Sequence, residues 1–146
     1  MIKSALGFIN YFLPPPINKY LMALRGVHFE NIRDTWIGSV CYLDSMYPEY
    51  IYIGKGSIVS FGVKIICHFE PTLRNKKSGM KFKKSKVNIG AGVFIGAGAV
   101  IYPGVSIGPG SVVSAGVVLT KSVPENVLVK FSKNSYHYTK ILKKIN

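Results

Sequence analysis

Cysteine is scarce in this chain of 146 residues, with only Cys41 and Cys67. Two thiols cannot staple a secreted scaffold and lack metal-ligand spacing. They read as small buried apolar residues in a reducing compartment. Acids are sparse too: six Asp and Glu stand against 19 Lys and Arg, a formal net charge of +13. That imbalance predicts an anionic partner: a phosphorylated cofactor, a nucleic acid, a membrane face or an acidic glycan. Charge of either sign is missing from the 34 residues between Val87 and Thr120. Eight glycines with Pro103 and Pro109 exclude a membrane-spanning helix there. No small-residue cleavage site precedes Pro14-Pro15-Pro16, so no signal peptide is expected. The expected location is cytoplasmic, with a loose association with the inner membrane surface left open. Apolar residues at 48% and aromatics at 12% suffice for one packed domain and exclude wholesale disorder.

What fills the charge-free stretch is a repeat. Ile89, Ile95, Ile101, Ile107, Val113 and Leu119 recur every six residues. A fifth place in each hexad holds Val93, Ala99, Val105, Ser111, Val117 and Val123. Six fits neither the helical period of about 3.6 nor the strand period of about 2. It predicts a β-solenoid whose triangular coil takes three hexads, with aliphatic side chains stacked inward and glycine at the corners. Upstream, Ile53, Val59 and Ile65 keep the phase, as do Ile37 and Leu43. The step from Leu43 to Ile53 is ten, so four extra residues bulge near Tyr47–Tyr52. The step from Ile65 to Ile89 is 24, so an excursion of about 18 residues leaves the prism before Val87.

The charge concentrates on that excursion: Arg74, Lys76, Lys77, Lys81, Lys83, Lys84 and Lys86, with no acid among them. Both ends predict helical caps. Ile17–Arg25 has apolar spacing at Ile17, Tyr20, Leu21 and Leu24 and stops at Gly26. Tyr138–Ile145 aligns Ile141, Leu142 and Ile145. The expected fold is all-β, a single domain: a cap over residues 1–26, a solenoid over 27–129 with a basic loop at 71–86, and a tail with a helix over 130–146.

The run Ile89-Gly90-Ala91-Gly92-Val93-Phe94-Ile95-Gly96-Ala97-Gly98, continued to Gly108 and by Ser114–Pro124, resembles the hexapeptide-repeat acyltransferases. The nearest group is the sugar O-acetyltransferases, such as galactoside, maltose, capsule and lipopolysaccharide acetyltransferases. The resemblance implies a left-handed parallel β-helix, an exception to right-handed crossovers. It also implies a homotrimer with active sites between subunits, acetyl-CoA as donor, and a sugar or polysaccharide-precursor acceptor.

By the same resemblance His68, closing Ile65-Ile66-Cys67 before the excursion, stands where the family puts its catalytic histidine. Imidazole suits removal of a hydroxyl proton during attack on a thioester. Glu70, two residues on, is expected to orient its ring. Asp44 matches an acidic residue that binds acceptor hydroxyls, with Asp34 as runner-up. Ala97, Ala115, Thr120 and Lys121 match the coenzyme A groove, Lys121 meeting a phosphate. The usual Gly-Asn-Pro-Ala segment is replaced by Lys130-Phe131-Ser132-Lys133-Asn134, whose lysines could substitute electrostatically. His28 and His137 read as ordinary structural or surface residues. Three scattered histidines do not supply the zinc site of the γ-class carbonic anhydrases, so no metal is expected. No nucleic-acid-reading motif accompanies the charge. Rival readings are N-acetylation of an amino-sugar nucleotide and a non-catalytic β-helix scaffold.

Overall fold

The computed structural model describes residues 13–70, 77, 79, 81–132 and 135–140. The inward aliphatic places behave as the period requires. Ile37, Leu43, Ile53, Val59, Ile65, Ile95, Ile101, Ile107, Val113 and Leu119 are all buried, as is the fifth-place series from Val93 to Val123. Each hexad contributes a two- or three-residue strand and a corner, and successive strands fall on three different sheets.

The first sheet stacks β1 (His28–Phe29), β4 (Ile51–Ile53), β9 (Val87–Ile89) and β12 (Ser106–Ile107). The second stacks β2 (Trp36–Ile37), β5 (Ile58–Val59), β10 (Phe94–Ile95), β13 (Val112–Val113) and β15 (Val127–Ser132), with β16 (Ser135–Lys140) at its edge. The third stacks β3 (Tyr42–Leu43), β6 (Lys64–Ile65), β11 (Val100–Ile101) and β14 (Val118–Leu119). All pair in parallel except β15 with β16. Ile95 pairs with Val113, 18 residues on, whereas Leu43 pairs with Ile65 across the bulge and Ile65 with Ile101 across the excursion. Both insertions therefore leave the ladder in phase.

Glycine meets two different demands at a corner. A Cβ on Gly108 would lie 2.3 Å from the Glu125 nitrogen of the next coil, so close approach requires its absence. Gly98, two residues past Gly96, turns at φ +69, in the left-handed region. Val40, three residues past Ile37, and Asn126, three past the Val123 that pairs with Ile107, make the same turn at φ 59 and 55.

The caps depart from expectation. Helix α1 (Pro15–Arg25) ends as anticipated at Gly26, at φ 118. It docks through the opposite face: Asn18, Lys19, Met22 and Arg25 are buried, while Ile17, Tyr20 and Leu24 are 52%, 52% and 76% exposed. The cause is the open end of the coil, whose carbonyls need donors more than apolar cover. Asn18 donates to the Gly38 carbonyl at 2.9 Å, Lys19 to those of Arg33 and Thr35 at 3.2 and 2.9 Å, and Arg25 to that of Asp44 at 3.2 Å. At the other end the expected helix from Tyr138 is not formed through Lys140. That stretch lies in β16, folded antiparallel onto β15 with Val129 opposite Tyr138. The final strand of the ladder is an open edge, and a returning strand satisfies it. The remainder of the expected helix, 141–146, lies outside the described residues, as do Arg74 and Lys76 of the basic loop.

Candidate active site

Both interruptions of the hexad ladder open from the third sheet toward the first, so they meet. The first follows Leu43 and carries Asp44–Tyr47 and a 3-10 turn at Pro48–Tyr50. The second starts as a two-stranded antiparallel ribbon, β7 (His68–Phe69) against β8 (Lys83–Lys84), with His68 opposite Lys84 and Phe69 opposite Lys83.

Asp44 is fully buried at this junction. One carboxylate oxygen accepts the Met46 and Tyr47 N–H groups at 3.0 and 3.1 Å. The other accepts the Cys67 N–H at 2.8 Å and faces His68 Nδ1 at 2.6 Å. Burial would raise its pKa, but these hydrogen bonds outweigh it and hold the carboxyl below its ordinary range. An ionised carboxylate only accepts, so His68 Nδ1 donates and the ring lone pair sits on Nε2. The imidazole remains 18% exposed, enough for a substrate to reach. Tyr47 meets it edge-on at 5.4 Å, and Phe82 lies at 6.3 Å.

Two assignments change in consequence. Glu70 is exposed, and the carboxylate on Nδ1 is that of Asp44. Asp44, expected to bind acceptor hydroxyls, instead has both oxygens engaged by four internal donors, His68 Nδ1 among them. Asp34 instead accepts from Asn31 Nδ2 in the first coil. Tyr47, Tyr50 and Phe82 were missed, and Lys84 was singled out only as one member of the basic run. The aromatic density of the four-residue bulge was the available signal for the tyrosines.

The four residues expected to line a coenzyme A groove fall on two corners. Thr120 and Lys121 follow β14, on the column that carries His68 and Tyr102-Pro103. Ala97 and Ala115 stack at the corner between the second and third sheets, Gly116 donating to the Ala97 carbonyl at 2.9 Å. On the far face of the ribbon, Phe69, Lys81, Lys83, Ser85, Tyr102 and Pro103 line a cleft of about 440 Å³. His28 stacks on Tyr52 at 4.5 Å, and His137 sits on β16. Among the described residues no group of His, Cys, Asp or Glu is placed to hold a metal ion. No described helix is long and apolar enough to cross a membrane.

The family model described as bacterial transferase hexapeptide (six repeats) matches residues 86–121. No curated protein matches the sequence significantly. Solved structures do match in fold. A maltose O-acetyltransferase from Clostridium difficile 630 shares 20% identity at a TM-score of 0.62, covering 98% of this chain and 86% of its own. A hexapeptide-repeat acetyltransferase from Vibrio cholerae shares 19% at 0.66, covering 98% and 90%. A galactoside acetyltransferase in complex with coenzyme A shares 18% at 0.53, covering 99% and 80%. Residues 86–121 thus carry bacterial-transferase hexapeptide repeats, and the chain shares the left-handed parallel β-helix fold of these acetyltransferases.

Proposed function

We propose that the protein is an acetyl-CoA-dependent O-acetyltransferase acting on a sugar hydroxyl in surface-polysaccharide assembly, with His68 as general base. The observation that carries this reading is the buried Asp44–His68 pair, 2.6 Å apart, at the mouth of the excursion. Nε2 takes the hydroxyl proton as the oxygen attacks the thioester carbonyl carbon. Asp44 stabilises the imidazolium, which returns the proton to the departing sulfur as the C–S bond breaks. Neither cysteine is an alternative nucleophile: burial pushes Cys41 up to about 11 and Cys67 up to about 12. Transfer is therefore direct, in a ternary complex. Two buried reduced thiols also suit a cytoplasmic location.

The test is thiol release from acetyl-CoA over a panel of sugars. Acceptor-dependent release with an O-acetylated product is expected. A folded protein that fails to bind coenzyme A would leave only the scaffold reading.

The acting form is a homotrimer. Ala97 and Ala115 line a different corner from His68 and Lys121, so a neighbouring copy is needed to bring both sets to one ligand. The outer face of the second sheet supports this, with Trp36, Ile58 and Phe94 in register and 48%, 41% and 39% exposed. Such a ladder is more apolar surface than a monomer ordinarily leaves open. Light scattering should return about three times the chain mass, and Phe94→Glu should shift it toward monomer. A monomeric wild type at micromolar concentration would remove the shared site.

A further inference from the structure

Resting on the acetyl-transfer reading, we infer that Lys84 selects acceptors bearing an anionic group, a carboxylate or a phosphate, beside the hydroxyl that His68 deprotonates. Opposite residues of an antiparallel pair project to the same face, so the register His68–Lys84 sets the ammonium beside the imidazole. Its place is built. The Lys84 Nζ lies 4.9 Å from the centre of the Tyr47 ring and 5.0 Å from that of Tyr50, held between the two aromatic rings. Tyr47 also contacts His68 and Phe82, so one aromatic cluster fixes both the base and the cation.

An acceptor anion seated against Lys84 fixes which hydroxyl meets Nε2. Glu49 also acts on Lys84 from the 3-10 turn, but Lys84 itself is exposed to an incoming ligand. Lysine is a point charge without the planar fork of arginine, so it reads charge and tolerates either anion. The net charge of +13 draws such acceptors in from solution.

The experiment compares kcat/KM for matched acceptors: glucose with glucuronate and glucose 6-phosphate, galactose with galacturonate. The wild type should prefer the anionic member of a pair, and rising salt should erode the preference. Lys84→Ala should cut the anionic-to-neutral ratio by about 10–100-fold, mainly through KM, as for loss of a charge-assisted contact. Lys84→Arg should restore much of it. An unchanged ratio, with neutral and anionic acceptors losing equally, would place Lys84 on the reaction itself and overturn the proposal. Titration of glucuronate and glucose 6-phosphate into the protein saturated with coenzyme A reads the same preference without turnover. If no sugar is acetylated, the acetyl-transfer reading falls, while a Lys84-dependent preference in binding still decides for or against this site.

Discussion

On the proposed reaction, His68→Ala is expected to turn over sugar acceptors about 10²–10⁴-fold more slowly than the wild type, because the removed term is proton abstraction in the transition state. Its assembly, melting temperature and affinity for coenzyme A should stay close to those of the wild type. His68 stands outside the inward aliphatic stack, at the root of the ribbon, with its side chain part-exposed. Removing the ring leaves the Asp44 carboxylate still holding the Cys67, Met46 and Tyr47 N–H groups. The comparison is of kcat on an acceptor that the wild type demonstrably uses. A folded His68→Ala protein with near-normal turnover would sink the assignment of the base.

Asp44→Asn is expected to be nearly as severe, about 10²–10⁴-fold in kcat, although the change is isosteric. The four donors around Asp44 each require an oxygen. If the amide NH2 faces His68, it also confronts the Cys67 N–H and makes Nδ1 an acceptor, which moves the ring proton to Nε2 and abolishes the base. If it faces the other way, it confronts the Met46 and Tyr47 N–H groups. Either orientation strands a buried donor, at a cost of about 1–3 kcal/mol in stability. Thermal melts against pH separate this from a purely structural effect. The Asp44 carboxyl is held below its ordinary 3.8, so its stabilising contribution is complete above that value and is lost as pH falls through the depressed one. The gap in melting temperature between the two proteins should thus close in acid, as pH falls through that depressed value. Asp44→Asn with wild-type kcat would show that a neutral partner suffices.

The hexads were legible because a solenoid writes its geometry locally. Each inward aliphatic residue answers to its own coil position, and Leu43 and Ile65 keep phase on either side of an insertion. Helix α1 was legible as a helix but not in its orientation. Its apolar spacing at Ile17, Tyr20 and Leu24 says nothing of the coil end, where unpaired carbonyls select Asn18, Lys19 and Arg25. Tyr138–Lys140, expected to open a helix, lies in a strand for a similar reason: what decides it is the open edge of β15.

The site divides along the same line. The repeat period, the two departures from it and the resemblance of His68 to a catalytic histidine were all present in the sequence, and they determined the prism and the point where chemistry leaves it. Which carboxylate would serve His68 was not. Proximity in sequence favoured Glu70, two residues away, over Asp44, 24 residues away. Coil closure reversed that order, because Leu43 pairs with Ile65 and delivers Asp44 beneath Cys67 and His68. Lys84 likewise joins His68 only through the register of the ribbon. A hexad is set by packing within one coil and can be read along the chain. The carboxylate beside His68 is set by contacts between coils, whose partners the chain order does not name.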